Sequence, residues 1–268
     1  CCLLRQGVYE SDKKNIKDSG YCGNSVIFTF DNGILSISGE GDMMDYSDIS
    51  SKPWESYKRQ INKIIISNNV TSIGDYSFEQ CINLKSIIIS NSINKIGKYA
   101  FYLCSSLKEI SIPDGIELIE WCTFEECTSL ERIIIPKSVS SIDANAFYDC
   151  TSLRSVTILG NLTAIRSKAF NNCSILEKVT YKGITSPHED MDIFDGTNVK
   201  FIFVPGEYKR SLFCKFPVIR SSGKCGQESI FEFEDGVLMI GGEGQLNNYT
   251  QDSLALWSEY SEFIETIY

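Results

Sequence analysis

The chain carries eleven cysteines but a single histidine, His188, among its 268 residues. A cysteine can act as a nucleophile, as a metal ligand or as one half of a disulfide, and its spacing helps to decide between these roles. Five of the cysteines recur at a constant step of 23 residues and are called the cysteine ladder: Cys81, Cys104, Cys127, Cys150 and Cys173. The ladder therefore belongs to a repeated structural unit and not to one local site.

Geometry separates the roles that the cysteine ladder could play. Equivalent positions in stacked copies lie about 5 Å apart, which permits some disulfide pairing, but an odd number of members cannot pair completely. A zinc site needs ligands that converge on one point, whereas the ladder extends along a line and has only His188 to join it. A buried thiol also fills a small apolar space and donates a weak hydrogen bond. We expect reduced, structural thiols and no metal.

Four acidic residues follow the histidine and supply the oxygen ligands that calcium prefers: Glu189, Asp190, Asp192 and Asp195. Their spacing is not that of an EF-hand loop, so we expect a solvated loop. The sequence also has neither a nucleophile elbow nor a glycine-rich phosphate loop between a strand and a helix. We predict a protein that is not an enzyme and that uses no cofactor.

Composition argues against two further classes of protein, those that bind nucleic acid and those that insert into a membrane. The formal net charge is −10 and no basic run is present, which argues against nucleic acid because phosphate binding needs clustered Lys and Arg. The longest apolar stretches are far shorter than the roughly 20 residues of a membrane-spanning helix, so we predict no membrane insertion within this chain. The first residues contain neither an initiator Met nor an apolar signal core, and we expect any signal or anchor to lie outside the sequence.

The step of 23 residues also governs the apolar positions. A phenylalanine precedes each ladder cysteine by three residues and a leucine follows each by three. Behind each leucine, an apolar pair alternates around one outward residue, as in a half-buried strand. Such a period indicates a solenoid, mainly β with short helical or 3-10 turns, whose units bury their apolar faces only by stacking. We predict seven strands, at Ile64/Ile66, Ile87/Ile89, Ile110/Ile112, Ile133/Ile135, Val156/Ile158, Val179/Tyr181 and Ile202/Val204.

We number the copies one to seven by the leucine position, which is Ile61 in copy one and Val199 in copy seven. After each strand, a turn position is followed by a second inward apolar pair, such as Val70 with Ile73. We expect this pair to form a short strand or extended turn on the opposite wall of the solenoid.

A longer period of 203 residues relates the two ends of the chain. CGNSVIFTFDNGILSISGEGDMMDY, from Cys22, matches CGQESIFEFEDGVLMIGGEGQLNNY, from Cys225, and each contains a hairpin signal around Asn-Gly or Asp-Gly. These segments should be small β-hairpin caps, and the chain should be a window of a longer tandem protein. The predicted organisation is a preceding tail or linker (1–21), an N-terminal cap (22–60), the seven-stranded array (61–205), a closing helix and linker (206–224) and a second cap that starts a further array (225–268).

Copies three to five resemble the BspA-type leucine-rich repeat, whose unit reads approximately L-x-x-I-x-I-P-x-x-V-x-x-I-x-x-x-A-F-x-x-C. In copy three the matching residues are Leu107, Ile110, Ile112, Pro113, Ile116, Ile119, Phe124 and Cys127. The turn proline is absent at Ser67, Ser90 and Leu159, and Thr123 replaces the alanine. The resemblance implies a leucine-rich-repeat horseshoe on surface or secreted proteins of anaerobic bacteria and unicellular parasites, with adhesion to host matrix or cells as the usual activity.

The outward residues of the predicted strands form two rows, which together we call the concave face. One row is Ile65, Ile88, Ser111, Ile134, Thr157, Thr180 and Phe203. The other is Lys63, Ser86, Glu109, Arg132, Ser155, Lys178 and Phe201. An apolar stripe beside polar residues suits a protein partner. The alternative is that isoleucine merely suits strands and the stripe binds nothing.

We expect a surface or secreted recognition or adhesion module that binds a protein of a host matrix or cell surface through this face. Possible glycosylation triplets begin at Asn69, Asn161 and Asn248, and fit a secretory route, whereas a fourth at Asn172 has Cys173 as its middle residue. Two alternatives stay open: a structural spacer in a multi-array surface protein, and an intracellular protein-interaction scaffold, which reduced cysteines would favour.

Overall fold

The chain folds into a stack of similar turns with a wall of strands on each of two sides. A computed structural model describes residues 17–47, 52–224, 226–234, 237–246 and 266–267. The strands in these residues are β1 (Lys17–Tyr21), β2 (Val26–Asp31), β3 (Ile34–Gly39), β4 (Gly41–Asp42), β5 (Lys63–Ile66), β6 (Val70–Ile73), β7 (Ser86–Ile88), β8 (Lys95–Ile96), β9 (Leu118–Ile119), β10 (Arg132–Ile135), β11 (Ser141–Ile142), β12 (Ser155–Ile158), β13 (Ala164–Ile165), β14 (Lys178–Tyr181), β15 (His188–Glu189), β16 (Ile202–Val204), β17 (Leu212–Phe213), β18 (Phe216–Arg220), β19 (Ser222–Lys224), β20 (Gly226–Glu234), β21 (Val237–Leu246) and β22 (Thr266–Ile267). A 3-10 helix spans Glu55–Gln60.

The first wall consists of parallel strands at the predicted positions. β5 pairs with β7, and β10, β12, β14 and β16 pair in that order. The register sets Ile64 opposite Ile87 and Ile133 opposite Val156, which are the same positions of successive copies. Because strand side chains alternate, one set of β-branched residues enters the core in every copy. The predicted solenoid is confirmed.

The second wall consists of very short parallel strands, as the second apolar pair predicts. β4, β6 and β8 form one sheet, and β9, β11, β13 and β15 form another. Their inward members, such as Val70, Ile73 and Ile142, are fully buried. Each copy therefore closes its core from two sides.

Copy three departs from the prediction of seven strands. Strands occupy the other six predicted positions, whereas residues 109–112, which the structure describes, form none. Ile110 and Ile112 still point into the core and are buried. Pro113 follows directly and has no N–H to donate to the neighbouring copy. The apolar pattern predicts the inward side chains correctly but does not guarantee the backbone ladder.

A stack of aromatic rings fills the centre of the turns. Successive rings of the Phe78, Phe101, Phe124, Phe147 and Phe170 series lie 5.0 to 5.5 Å apart between centroids. In copy six the stack continues with Phe194 at 5.3 Å, while the neighbouring Ile193 is also buried. Trp54 extends the stack at one end and Phe216 meets the other edge-on. The ring series is thus covered at both ends.

The first cap extends the first wall by an antiparallel hairpin. β2 and β3 are joined by Asn32 and Gly33, both at positive φ, which is the type I′ geometry that Asn-Gly predicts. β3 then pairs in parallel with β5, so the cap continues the wall. β1 pairs with β2 and belongs to this sheet as well, so residues 17–21 of the predicted tail are part of the cap fold. The rest of that tail lies outside the described residues.

A buried ion pair joins the first cap to copy one. The Nζ atom of Lys52 lies 3.2 Å from a carboxylate oxygen of Glu79, and both side chains are largely removed from water. The indole N–H of Trp54 donates to the carbonyl oxygen of Ser77 at 2.9 Å nearby. These contacts fix the cap on the open end of the core.

The predicted closing helix over residues 206–224 is wrong. This segment contains a turn followed by β17 and β18, and the described residues between 206 and 224 form no helix. The spacing of Tyr208, Leu212 and Phe216 suggested a helix, but Leu212 is exposed and the adjacent Cys214 and Lys215 both have positive φ. These two residues form the tight turn of a hairpin instead. β18 then adds to the first wall beside β16.

The second cap repeats the strand pairing of the first at an offset of 203 residues. The corresponding Cα partners are Ser19 with Thr29 and Ser222 with Glu232, Val26 with Gly39 and Ser229 with Gly242, and Ile34 with Lys63 and Val237 with Thr266. Equivalent sequence therefore gives an equivalent sheet at both ends of the array.

Candidate binding surface and cysteine ladder

The strand register aligns the apolar row of the concave face. Ile65 lies opposite Ile88 in the first part of the wall. In the second part, Ile134 lies opposite Thr157 and Thr157 opposite Thr180. With strands about 4.8 Å apart, six steps from copy one to copy seven span roughly 29 Å. The row is thus long enough to contact a folded partner.

Two isoleucines dominate the exposed part of this row. Ile88 is 52% exposed and Ile134 is 56% exposed, although isoleucine is usually buried. Ser111, between them in the repeat order, is also exposed, whereas Ile65, Thr157 and Thr180 are half-buried. The apolar part of the face is therefore concentrated in copies two to four.

The last member of the row is not available to a partner. Phe203 is only 9% exposed and packs in a small cluster with Ile219, Phe231 and Leu238, which come from β18 and the second cap. Phe201 is half-buried, with its ring edge-on to Phe203 at 5.3 Å. The predicted exposure of Phe203 is wrong because the following module covers the end of the row.

The charged row of the concave face is predominantly positive. Lys63, Arg132 and Lys178 supply three cations against the single carboxylate of Glu109. Arg132 and Glu109 are exposed, and the two lysines are half-buried. This sign is opposite to the net charge of −10 for the whole chain. The charge of this row therefore differs in sign from that of the chain as a whole.

The cysteine ladder lies in the core beside the phenylalanine stack. Four of its thiols donate to phenylalanine carbonyl oxygens of the preceding copy at 3.2 to 3.3 Å: Cys104 to Phe78, Cys127 to Phe101, Cys150 to Phe124 and Cys173 to Phe147. Burial raises the pKa of Cys81 and of Cys127 to about 12. A buried, protonated thiol is a poor nucleophile and a poor metal ligand. The ladder satisfies backbone carbonyl groups and fills space.

The acidic loop does not gather its carboxylates around one point. Asp190 lies 3.2 Å from His188 and 3.7 Å from Arg166, and it accepts a hydrogen bond from the backbone N–H of Ser167. Within the described parts of the chain, no three His, Cys, Asp or Glu side chains converge as metal ligands would.

The triplets at Asn69 and Asn161 begin at exposed residues. Asn69 is exposed and has a φ of 75°, and the hydroxyl of Thr71 in its triplet donates to Asp42. The side-chain oxygen of Asn161 accepts hydrogen bonds from the backbone N–H groups of Ile184 and Thr185. Asn248 lies outside the described residues.

Tyrosine and tryptophan side chains form an aromatic group at the turn beside the phenylalanine position. Tyr102, Tyr148 and Trp121 stand out beside the phenylalanine position, but the structure centres the group on Tyr99, which stacks on Tyr76 at 4.7 Å. Tyr99 also meets Trp121 edge-on at 5.1 Å. The signal was available, because Tyr76 and Tyr99 are 23 residues apart and occupy the same repeat position. Trp121 is 41% exposed, and the tyrosines shield the turns beneath them.

The family follows from the repeat region itself. A model of the BspA type leucine rich repeat region matches residues 48–209 with six copies, which is more than half of the chain. The chain belongs to the BspA-type leucine-rich repeat family. BspA-type repeats are in general protein-interaction modules and not enzymes.

Solved leucine-rich repeat structures share the fold of this BspA-type array. The pneumococcal vaccine antigen PcpA has a TM-score of 0.54 and 21% identity, over 74% of this chain and 48% of that one. A leucine-rich cell surface protein of Faecalibacterium prausnitzii has a TM-score of 0.53 and 21% identity, over 85% and 61%. A leucine-rich repeat protein of T. pallidum has a TM-score of 0.49 and 23% identity, over 70% and 89%. At such identities the likeness to the first two structures concerns the fold alone.

A sequence comparison and a search for membrane-spanning helices are both negative. No curated protein matches the chain in sequence. Among the residues that the structure describes, no helix has the length and apolar character needed to cross a membrane.

Proposed function

We propose that this BspA-type array is a non-enzymatic recognition module that binds a protein through its concave face. The observation that carries the proposal is the exposure of Ile88 and Ile134 on the two sheets that form the first wall on either side of copy three. Burial of two such side chains supplies the kind of apolar anchor that dominates protein interfaces. The lysines and arginine of the adjacent row favour a partner with an acidic surface.

We further propose that the module acts at a cell surface or after secretion, and that its partner belongs to a host matrix or host cell. Two proteins of the same fold are described as a cell surface protein and a vaccine antigen, which supports this location. Exposure of Asn69 and Asn161 is compatible with glycosylation on a eukaryotic secretory route. Tandem arrays would increase avidity without any new contact.

A structural spacer is the second candidate, and one observation favours it. The second cap reproduces the strand register of the first, so arrays can follow one another in a regular geometry. A spacer needs only this regularity and no occupied concave face. The two candidates therefore differ in what substitution of the exposed isoleucines should do.

The test is binding of the labelled chain to an immobilised extracellular-matrix extract and to host cells. We expect Ile88→Glu combined with Ile134→Glu to weaken binding by at least about 30-fold, since loss of an interface anchor costs about 2 kcal/mol or more. Ile184→Glu is the control, because Ile184 is similarly exposed but lies in a bend outside the strands of the first wall. Circular dichroism and thermal unfolding should show that all variants remain folded.

Equal binding by the double variant and the wild-type chain would refute recognition through this face. Equal weakening by the Ile184→Glu control would show that the effect comes from net charge. Absence of any saturable binding by the wild-type chain would favour the spacer.

A further inference from the structure

The joint between copies two and three is built differently from the other joints of the array. We propose that it is a hinge, at which the solenoid opens on both walls while it stays joined along the phenylalanine and cysteine edge. The inference rests on backbone pairing, on a cavity and on the side chains at one repeat position. It stands independently of the proposed function.

The first wall is interrupted at this joint. β7 pairs with β5 on one side, and residues 109–112 of copy three pair neither with β7 nor with β10 among the described residues. Copy three retains one backbone bond on the other side, in which the N–H of Glu131 donates to the carbonyl oxygen of Lys108 at 3.1 Å. The equivalent bond toward copy two is absent from the described part of this wall. Ile87 and Ile89 accordingly remain half-buried.

The second wall is interrupted at the same joint. In the neighbouring joints, two backbone bonds link successive copies: Asn94 N–H to Thr71 and Gly97 N–H to Ile73 before it, and Ser140 N–H to Glu117 and Asp143 N–H to Ile119 after it, all at 2.8 to 2.9 Å. Between the described strands β8 and β9 there is no such bond. A cavity of about 390 Å³ lies there instead, lined by residues that include Asn94, Lys95, Glu117 and Glu120.

One repeat position carries a different kind of side chain at this gap. In copies four and five this position is Ser140 and Thr163, whose hydroxyl groups donate to the carbonyl oxygen of the preceding copy at 3.2 and 2.8 Å. In copy three the position is Glu117, which has a carboxyl group in place of the hydroxyl, and an ionised carboxylate only accepts hydrogen bonds. Pro113 removes a backbone donor from the first wall of the same joint. Two independent donors are therefore missing where both walls part.

The third side of this joint, formed by the turns that carry the phenylalanines and the ladder cysteines, remains bonded. The backbone N–H groups of Phe101 and Leu103 donate to the carbonyl oxygens of Thr123 and Glu125 at 2.9 and 3.0 Å. The Cys127 thiol donates to Phe101, and the rings of Phe101 and Phe124 stack at 5.4 Å. Because the joint is unpaired on two sides and bonded on the third, the two parts of the array can rotate about the bonded side.

The hinge divides the concave face into two bodies. Ile88 belongs to the body that contains the first cap and copies one and two, while Ile134 belongs to the body that begins with copy three. Rotation about the phenylalanine edge changes the separation of these two isoleucines and leaves the spacing within each body unchanged. The curvature of the face is thus adjustable at one defined place.

Amide hydrogen exchange, read by mass spectrometry, tests the hinge. In the wild-type chain we expect the amides of Glu117 and Glu120 to exchange at least about tenfold faster than those of Ser140 and Asp143, which occupy the same positions in copy four. Glu117→Thr restores the hydroxyl donor and should slow exchange at this joint by a similar factor. The reverse substitution, Thr163→Glu, should accelerate exchange at the joint of copies four and five.

The decisive readout is on the opposite wall. If the joint moves as a hinge, Glu117→Thr also slows exchange of the Ile110 and Ile112 amides, which it does not contact. Protection confined to Glu117 and Glu120 would overturn the hinge and leave only a local change. Equal protection of Glu117 and Ser140 in the wild-type chain would overturn it as well.

Discussion

Alkaline pH should destabilise the array through its buried thiols, and Cys127 allows the effect of one thiol to be measured. Burial raises the pKa of Cys127 from an ordinary value of 9.0 to about 12. The folded chain therefore keeps its proton above pH 9, whereas the unfolded chain loses it. The stabilisation is fully present below pH 9 and decreases as the pH rises toward 12.

The size of the effect follows from these two pKa values. At pH 10, ionisation of the unfolded thiol lowers the free energy of unfolding by about 1.4 kcal/mol, and at pH 8 by only about 0.1 kcal/mol. Burial also raises the pKa of Cys81, Cys104 and Cys150. Their ionisation in the unfolded chain should add to the loss of stability above pH 9 in the same direction.

Urea unfolding of the wild-type chain and of Cys127→Ser, followed by tryptophan fluorescence under reducing conditions, isolates the contribution of Cys127 to the pH dependence of the free energy of unfolding. Serine does not ionise in this range and can donate to the carbonyl oxygen of Phe101 in place of the thiol. Whatever the substitution costs at pH 8, the wild-type chain should lose about 1.3 kcal/mol more than the variant between pH 8 and pH 10. If the difference in the free energy of unfolding between the wild-type chain and the variant stays constant with pH, the reasoning is refuted, since Cys127 would then not be a buried, protonated thiol.

Two substitutions test the packing, each by urea unfolding. Phe147→Ala should lower the free energy of unfolding by about 3 to 5 kcal/mol, because its ring lies between Phe124 at 5.2 Å and Phe170 at 5.0 Å; a loss no larger than that of the exposed Trp121→Ala would contradict the stack. Lys52→Met should cost about 3 to 5 kcal/mol by leaving Glu79 buried without its partner, and the added change Glu79→Gln should recover part of it. No recovery would mean that loss of the ion pair does not cause the destabilisation of Lys52→Met.

The repeat period predicts most of the fold because the same physical requirement recurs in every copy. The Phe78 series, the cysteine ladder and the strand pairs all lie where a step of 23 residues places them. The closing segment was mispredicted because Tyr208, Leu212 and Phe216 have helical spacing, while two residues of positive φ decide the local fold. Apolar spacing alone does not report the turn geometry at Cys214 and Lys215.

The candidate surface was only partly predictable for a related reason. Strand alternation predicts which residues leave the core, and Ile88 and Ile134 are exposed as expected. It does not predict that another module covers the end of a row, as β18 and the second cap cover Phe203. Nor does it predict the unpaired joint of copy three, because Ile110 and Ile112 keep the apolar pattern of a strand.

The parallel strands of the first wall are hydrogen-bonded to one another along the direction in which the copies stack. Inter-strand hydrogen bonds run at a large angle to the strands, so a pull on the two ends of the array acts along these bonds. The joints are in series, and each carries the same force. Each copy that yields releases 23 residues, or about 75 Å of extended chain, in place of a rise of about 5 Å. A tethered protein of this design would lengthen stepwise under tension, and the copies still folded would keep their exposed faces.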